Sequence, residues 1–232
     1  MPAIFTMKKF ISSILFTLVT FVSVAQSHEI GFSFGGSNYI GDIGRTNYIY
    51  PNQFAGGLVY KYNINPRIVA RGTYTYLPIK GNDIDSDNAY RKNQGRSFSN
   101  TIHEIAVGIE INYFDYNIAN YKTRYTPYLF VEFAAFNYRA PESLTPDNNV
   151  LFRSDFSYGI PVGVGFKGQL INNIAISFEI GARYTFTDEL DYSTAEISAL
   201  NFTGNGNDWY VFSGLAIVYT FGKPQCYSGL TK

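Results

Sequence analysis

The sequence predicts an all-β fold, an eight-stranded antiparallel transmembrane β-barrel with periplasmic termini. Three observations predict it. The stretch Asp155–Asp188 alternates apolar and small or polar residues over two runs of more than ten residues. That is the period of strands with one greasy face, and the length a tilted strand needs to cross a bilayer. Similar alternation recurs along the chain, and the segments between the runs alternate between long and short. Aromatic residues are 18% of the chain and charged residues only 16%, against about 25% charged in a typical soluble domain.

The 232 residues carry a formal net charge of +0, so no basic field points to nucleic acid. A single cysteine, Cys226, excludes an intramolecular disulfide framework. Lys8 and Lys9 precede an apolar run, Phe10–Val22, which ends in Ser23-Val24-Ala25. A basic start, an apolar middle and a small-residue exit read as a secretory signal over residues 1–25, cleaved after Ala25. The barrel is then expected over residues 26–222, with a periplasmic tail at 223–232.

The first strand carries Ile30, Phe32 and Phe34 outward, and a polar segment follows from Asn38 to Gln53. The second puts Phe54, Leu58 and Tyr60 outward and Lys61 inward. Asn63-Ile64-Asn65-Pro66 is a tight turn by residue type. The third carries Arg71, Thr73 and Thr75 inward, and a long charged loop is expected from about Pro78 to Phe98. The fourth places Ile105, Val107 and Ile109 outward, with Glu104 and Glu110 inward. After the connector Phe114–Arg124, the fifth puts Leu129, Val131 and Phe133 outward and Glu132 inward. A loop from Arg139 to Arg153 leads into the Asp155–Asp188 hairpin, which turns over Gln169–Asn173. A last loop from Glu189 to Asp208 precedes the eighth strand, where Trp209, Val211, Leu215 and Ile217 share a face. Long connections after strands one, three, five and seven leave both termini on the short-turn side, the periplasm of an outer-membrane barrel. A soluble barrel would carry many Lys and Glu on its outer surface, and this chain has too few.

The inward charges are Lys61, Arg71, Glu104, Glu110, Glu132, Lys167, Glu179 and Arg183. Eight strands enclose only enough room for side chains, so these are expected to pair and plug the lumen rather than line a selective pore. Catalysis has little to work with: His103 is on an outward register, and Ser97, Ser99 and Glu104 beside it do not make a hydrolase site. No metal-ligand spacing of Cys and His is present. Asp83, Asp85 and Asp87 form a DxDxD run that lacks the glycine and distal glutamate of a calcium loop and reads as a solvated loop. No catalytic residue, cofactor or metal is therefore expected. Gly41-Asp42-Ile43-Gly44 suggests an ordered first loop.

The block His28–Gly44, HEIGFSFGGSNYIGDIG, together with the alternating strands and the final YTFGKP, resembles the PorG-like outer-membrane barrels of Bacteroidetes. Tyr39, Gly41, Asp42 and Gly44 lie in its most specific part. The resemblance implies a non-enzymatic component of the type IX secretion system, coupled in some species to gliding. Its implied partners are a periplasmic ring lipoprotein and its companion, PorK and PorN (GldK and GldN in gliding bacteria), with outer-membrane lipids and lipopolysaccharide around it. Docking would then use the periplasmic side: Asp115, Tyr116, Tyr121, Lys122 and Arg124 of the connector, and Cys226 in the tail. A small OmpA- or OmpX-like barrel, acting as a narrow channel or an envelope-stability protein, is the alternative.

Overall fold

The computed structural model of the chain describes residues 28–45, 47–116, 125–147, 149–171, 173–194, 197–200 and 206–222. The expected signal, Tyr121, Lys122, Arg124, Cys226 and the tail from 223 lie outside the described residues. Eight strands run in order around a closed antiparallel ring: β1 (His28–Ile40), β2 (Gln53–Asn63), β3 (Ile68–Asn82), β4 (Ser97–Asn112), β5 (Tyr125–Leu144), β6 (Val150–Ile171), β7 (Ile174–Thr185) and β8 (Trp209–Phe221). Closure comes from β1, which pairs with β8 from His28↔Phe221 to Ile40↔Trp209. A closed ring leaves no unpaired edge through the wall, and a strand needs that to sit in hydrocarbon.

The alternation decides which side of the wall each residue takes. Ile30, Phe32, Leu58, Ile105, Val107, Phe133, Val164 and Phe166 all point out and are exposed, Phe32 at 68%. Soluble monomers rarely expose contiguous apolar patches above a few hundred Å². An apolar wall on every strand is therefore the surface of a chain whose solvent there is lipid. Tyr113, Tyr125, Phe166 and Phe221 gather near the short-turn end, and Tyr74, Tyr76, Tyr184 and Trp209 toward the other, as interfacial rings do. Val211 shares the register of Trp209 and Leu215 but is buried.

Several strands outrun their expected limits. β3 and β4 stay paired as far as Asn82↔Ser97, so the loop expected from Pro78 to Phe98 shrinks to residues 83–96. It holds a 3-10 turn (Asp83–Asp85) and a short helix, α1 (Ala89–Gln94), capped by Asn88 and by Gly95 in the left-handed region. Most of the loop expected from Arg139 to Arg153 is strand as well: β5 reaches Leu144 and β6 starts at Val150. At 22 residues β6 measures roughly 70 Å, or about 50 Å along the barrel axis when tilted by ~45°. The hydrocarbon core is only ~30 Å thick, so the β5–β6 hairpin stands clear of it at the loop end.

There the ring opens. β4 and β5 pair only from His103↔Asn137 to Asn112↔Tyr128, and above that point Asn100 takes over. Its Oδ1 accepts from the Arg139 amide at 3.1 Å, and its Nδ2 donates to the Arg139 carbonyl at 2.8 Å and the Leu190 carbonyl at 3.0 Å. One amide side chain thus replaces a ladder step between two diverging strands. At the other end Asn65 does similar work in the β2–β3 turn, its Oδ1 accepting from the amides of Arg67 and Ile68, each at 2.8 Å.

Candidate functional site

The interior has two layers. Toward the short turns lies a web of charges. Glu110 sits at its centre: Lys61 donates to Oε2 at 2.6 Å, Lys167 donates to Oε1, and Arg71 stands 3.5 Å away. Arg71 passes the web on, from Nε to Glu132 at 3.1 Å and from a terminal nitrogen to Glu179 at 3.3 Å. Tyr128 donates to Glu179 at 3.0 Å. Lys61 and Arg71 also lie over the rings of Tyr128 and Phe130, at 5.0 and 4.3 Å. Gly163 and Gly165 make room for those rings, since a Cβ at either would fall within 2.5 Å of a ring carbon.

Of the eight expected lumen charges, six therefore join into one web and two stand apart. Arg183 lies 3.5 Å from Glu104, which also accepts from the Tyr210 hydroxyl at 2.6 Å. A ninth charge, Glu29, is buried as well and accepts from Asn63 Nδ2 at 2.9 Å. Its parity was readable, because Ile30 and Phe32 face out. Beginning the first strand at Ile30 hides it.

Toward the long loops the lumen is apolar. Ile43, Leu77, Ile79, Phe98, Ile102, Phe136, Leu190 and Phe212 form one buried cluster with Tyr39 and Tyr210. Leu77 and Ile79 continue the inward parity of Thr75, and Leu190 folds down from the last loop. A loop expected from about Pro78 hides this layer, because Ile79 and Phe98 then fall outside the strands. Charges that neutralise one another below and hydrocarbon above leave the bore filled.

The first loop builds part of that stopper, and the Tyr39–Gly44 block has a physical account. Ile43 inserts into the apolar cluster. Gly44 sits at φ +92, and its amide donates to Asp83 Oδ1 at 2.9 Å. Arg91 of α1 donates to the Gly41 and Gly44 carbonyls at 2.8 and 3.0 Å. The Asp42 amide donates to the Tyr39 hydroxyl at 3.2 Å. That hydroxyl also meets Asp208 Oδ1 and, at 3.0 Å, Asp191 Oδ2, tying the first loop to the last. Asp83 departs from the solvated loop expected of the DxDxD run. It is buried and also holds Arg96 at 3.1 Å, while Asp85 and Asp87 stay exposed.

Three carboxyls of the last loop are shifted. Burial, then the charge of Asp191, pushes Asp188 up to about 6. Burial, with Asp42 adding to it, pushes Asp191 up to about 6. Burial and the charge of Asp191 also hold Asp208 well above the ordinary carboxylate range.

On the short-turn side Asp115 is exposed and pairs with Arg67, which also donates to the Tyr113 carbonyl at 3.1 Å. Tyr116, expected at a partner contact, is only 5% exposed and lies beneath Lys167, 4.8 Å from ring centre to Nζ. It closes the bottom of the lumen instead, its amide bonding the Pro66 carbonyl at 3.1 Å. His103 lies on the outer wall against Tyr74, ring nitrogen to hydroxyl 3.0 Å, with Glu104 on the opposite side of the strand. The two cannot act together.

A family model described as "Domain of unknown function (DUF6089)" matches residues 8–229. The chain belongs to that family. No curated protein matches it. Among solved structures it is similar to Ail, the attachment invasion locus protein of Yersinia pestis, at 10% identity over 85% of this chain and 100% of that one, TM-score 0.48. Neisserial surface protein A is similar at 13% identity, 85% and 98% coverage and TM-score 0.46. OprG from Pseudomonas aeruginosa is similar at 12% identity, 85% and 97% coverage and TM-score 0.45.

Proposed function

We propose that this family member is a non-enzymatic outer-membrane barrel of the type IX secretion machinery, exported by a cleaved signal and anchoring a periplasmic lipoprotein ring at its short-turn end. The observation that carries the reading is the filled lumen. Charge pairs below and an apolar stopper above fill the lumen among the described residues, which favours the barrel's two ends and its wall as its working surfaces. The resemblance of the His28–Gly44 block to PorG-like barrels supplies the particular machine, with PorK- and PorN-like proteins as partners. Exposed Tyr113, Phe114, Asp115 and Arg67 at the short-turn end combine aromatic and charged groups, a mixture common at interfaces.

The test is affinity purification from native membranes, with identification of the co-purifying proteins and planar-bilayer recording on the same sample. A ring lipoprotein in the eluate with no channel activity supports the anchor. An eluate without periplasmic partners, from cells whose envelope leaks when the gene is deleted, would instead favour the OmpX-like stability barrel.

A further inference from the structure

Two cavities share Arg45 at the loop end. One, of about 220 Å³, lies between the first loop and the top of β3 and is lined also by Asn47, Tyr50, Lys80 and Asp85. The other, of about 340 Å³, is lined also by Asp42, Tyr48, Arg91 and Trp209. The larger falls within the ~300–1,000 Å³ typical of small-molecule sites, and the smaller suits a single ring.

The walls are held in place by groups that do not themselves need a ligand. Buried Asn38 donates to the Tyr48 carbonyl and accepts from the Tyr50 amide, each at 3.2 Å, fixing the aromatic segment. Arg91 fixes the Gly41 and Gly44 carbonyls, and Asn52 Nδ2 donates to the Lys80 carbonyl at 3.4 Å. The lining is therefore built before anything binds.

Its charge is the informative part. Among the described residues, none of Arg45, Lys80 and Arg91 has a carboxylate within ion-pair distance. Arg45 lies instead over the Tyr50 ring at 4.6 Å. Beside these cations stand Tyr48, 77% exposed, with Asn47 and Asp85 in the smaller cavity and Asp42 in the larger. A sugar ring offers C–H faces that lie flat on an aromatic ring and hydroxyl edges that both donate and accept, which carboxylate and amide groups answer. An acidic substituent on that sugar answers the unpaired cations.

We infer that the Arg45-centred pair of cavities binds an anionic saccharide of at least two residues, whose carboxylate or phosphate meets Arg45 and Lys80 while a ring packs on Tyr48. Membrane-anchored lipopolysaccharide and free acidic polysaccharide share this chemistry. The site lies at the opposite end of the barrel from the proposed ring contact, so either reading can fail without the other.

The test uses the full chain in nanodiscs, titrated calorimetrically with tetragalacturonate and with a neutral galactose tetramer. The acidic tetramer is expected to bind and the neutral one not. Arg45→Ala should weaken the affinity by about tenfold, as should raising salt from about 0.05 to about 0.5 M. Tyr48→Ala, at an exposed position, should weaken binding without salt dependence of the loss. Competition by rough lipopolysaccharide built into the discs identifies the membrane source, and its failure to compete identifies free polysaccharide. No binding of the acidic tetramer, equal binding of the neutral one, or an affinity unmoved by Arg45→Ala in a protein that keeps its heat-modifiable mobility on gels overturns the inference.

Discussion

The Tyr39 hydroxyl and the Asp208 carboxyl share a hydrogen bond across the mouth of the barrel, joining the end of β1 to the start of β8. The same hydroxyl faces Asp191, 3.0 Å away, and accepts from the Asp42 amide. One phenolic proton cannot serve two carboxylates, so the second contact requires a proton on a carboxyl. Burial and mutual repulsion supply one, since Asp208 holds its proton well above the usual range.

That arrangement makes the last loop tighter in acid. Asp188 and Asp191 are easier to protonate in the folded protein than in the unfolded chain. Their contribution is full below the ordinary value of 3.8 and is lost as pH rises through about 6, with Asp208 extending the decline upward. The amides of Leu190 and Ser193 bond Asp208 and Asp191, each at 2.9 Å. Their hydrogen-exchange protection factors should fall between pH 4 and pH 8, while those of the β2–β3 turn stay level; flat profiles at both places would sink the idea.

Gly44 should be destabilised by any side chain. At φ +92 an alanine is strained, and its Cβ would come 3.1 Å from the Asn82 nitrogen. Gly44→Ala is expected to cost ~1–2 kcal/mol and to loosen α1 through Arg91. Urea unfolding in detergent micelles, followed by fluorescence of Trp209, reads the loss.

Glu110 is the costliest lumen residue to remove. Glu110→Gln strands Lys61 and Lys167 without their shared carboxylate, a loss of about 3–5 kcal/mol. Lys61→Met should cost less, since Lys167 and Arg71 still neutralise Glu110. If the two variants unfold at the same urea concentration, Glu110 is not the hub.

Conductance should stay negligible in the wild type and also in Lys61→Ala/Glu110→Ala, because the apolar layer lies above the charges. Adding Leu77→Ala and Phe136→Ala should open a path, seen as discrete steps in planar bilayers. Steps from the two-residue variant alone would show that the charges, and not Leu77 and Phe136, hold the bore shut.

Much of the wall was legible because a period of two leaves each residue one of two sides, and the runs Phe156–Phe166 and Ile174–Phe186 each keep it. The loop end was harder to read. β3 carries Pro78 and Gly81 and β5 carries Pro141, residue types that usually announce a turn, and both strands run through them because the paired neighbour fixes the backbone. Tyr116 was misread for a related reason. An aromatic beside charges looks like surface until its own amide bonds the Pro66 carbonyl and its ring lies under Lys167. Asp83 lost its solvated reading the same way, through partners 13 and 39 residues distant in the chain.

Among the described residues the β5–β6 hairpin projects past the rest of the mouth, with the Thr145 amide bonding the Asn149 carbonyl at 2.9 Å near its tip. An antibody or a protease approaching from the loop end would meet this spur ahead of the other described residues. A short epitope spliced in at the tip would mark intact bacteria and report insertion topology without disturbing a single rung inside the bilayer.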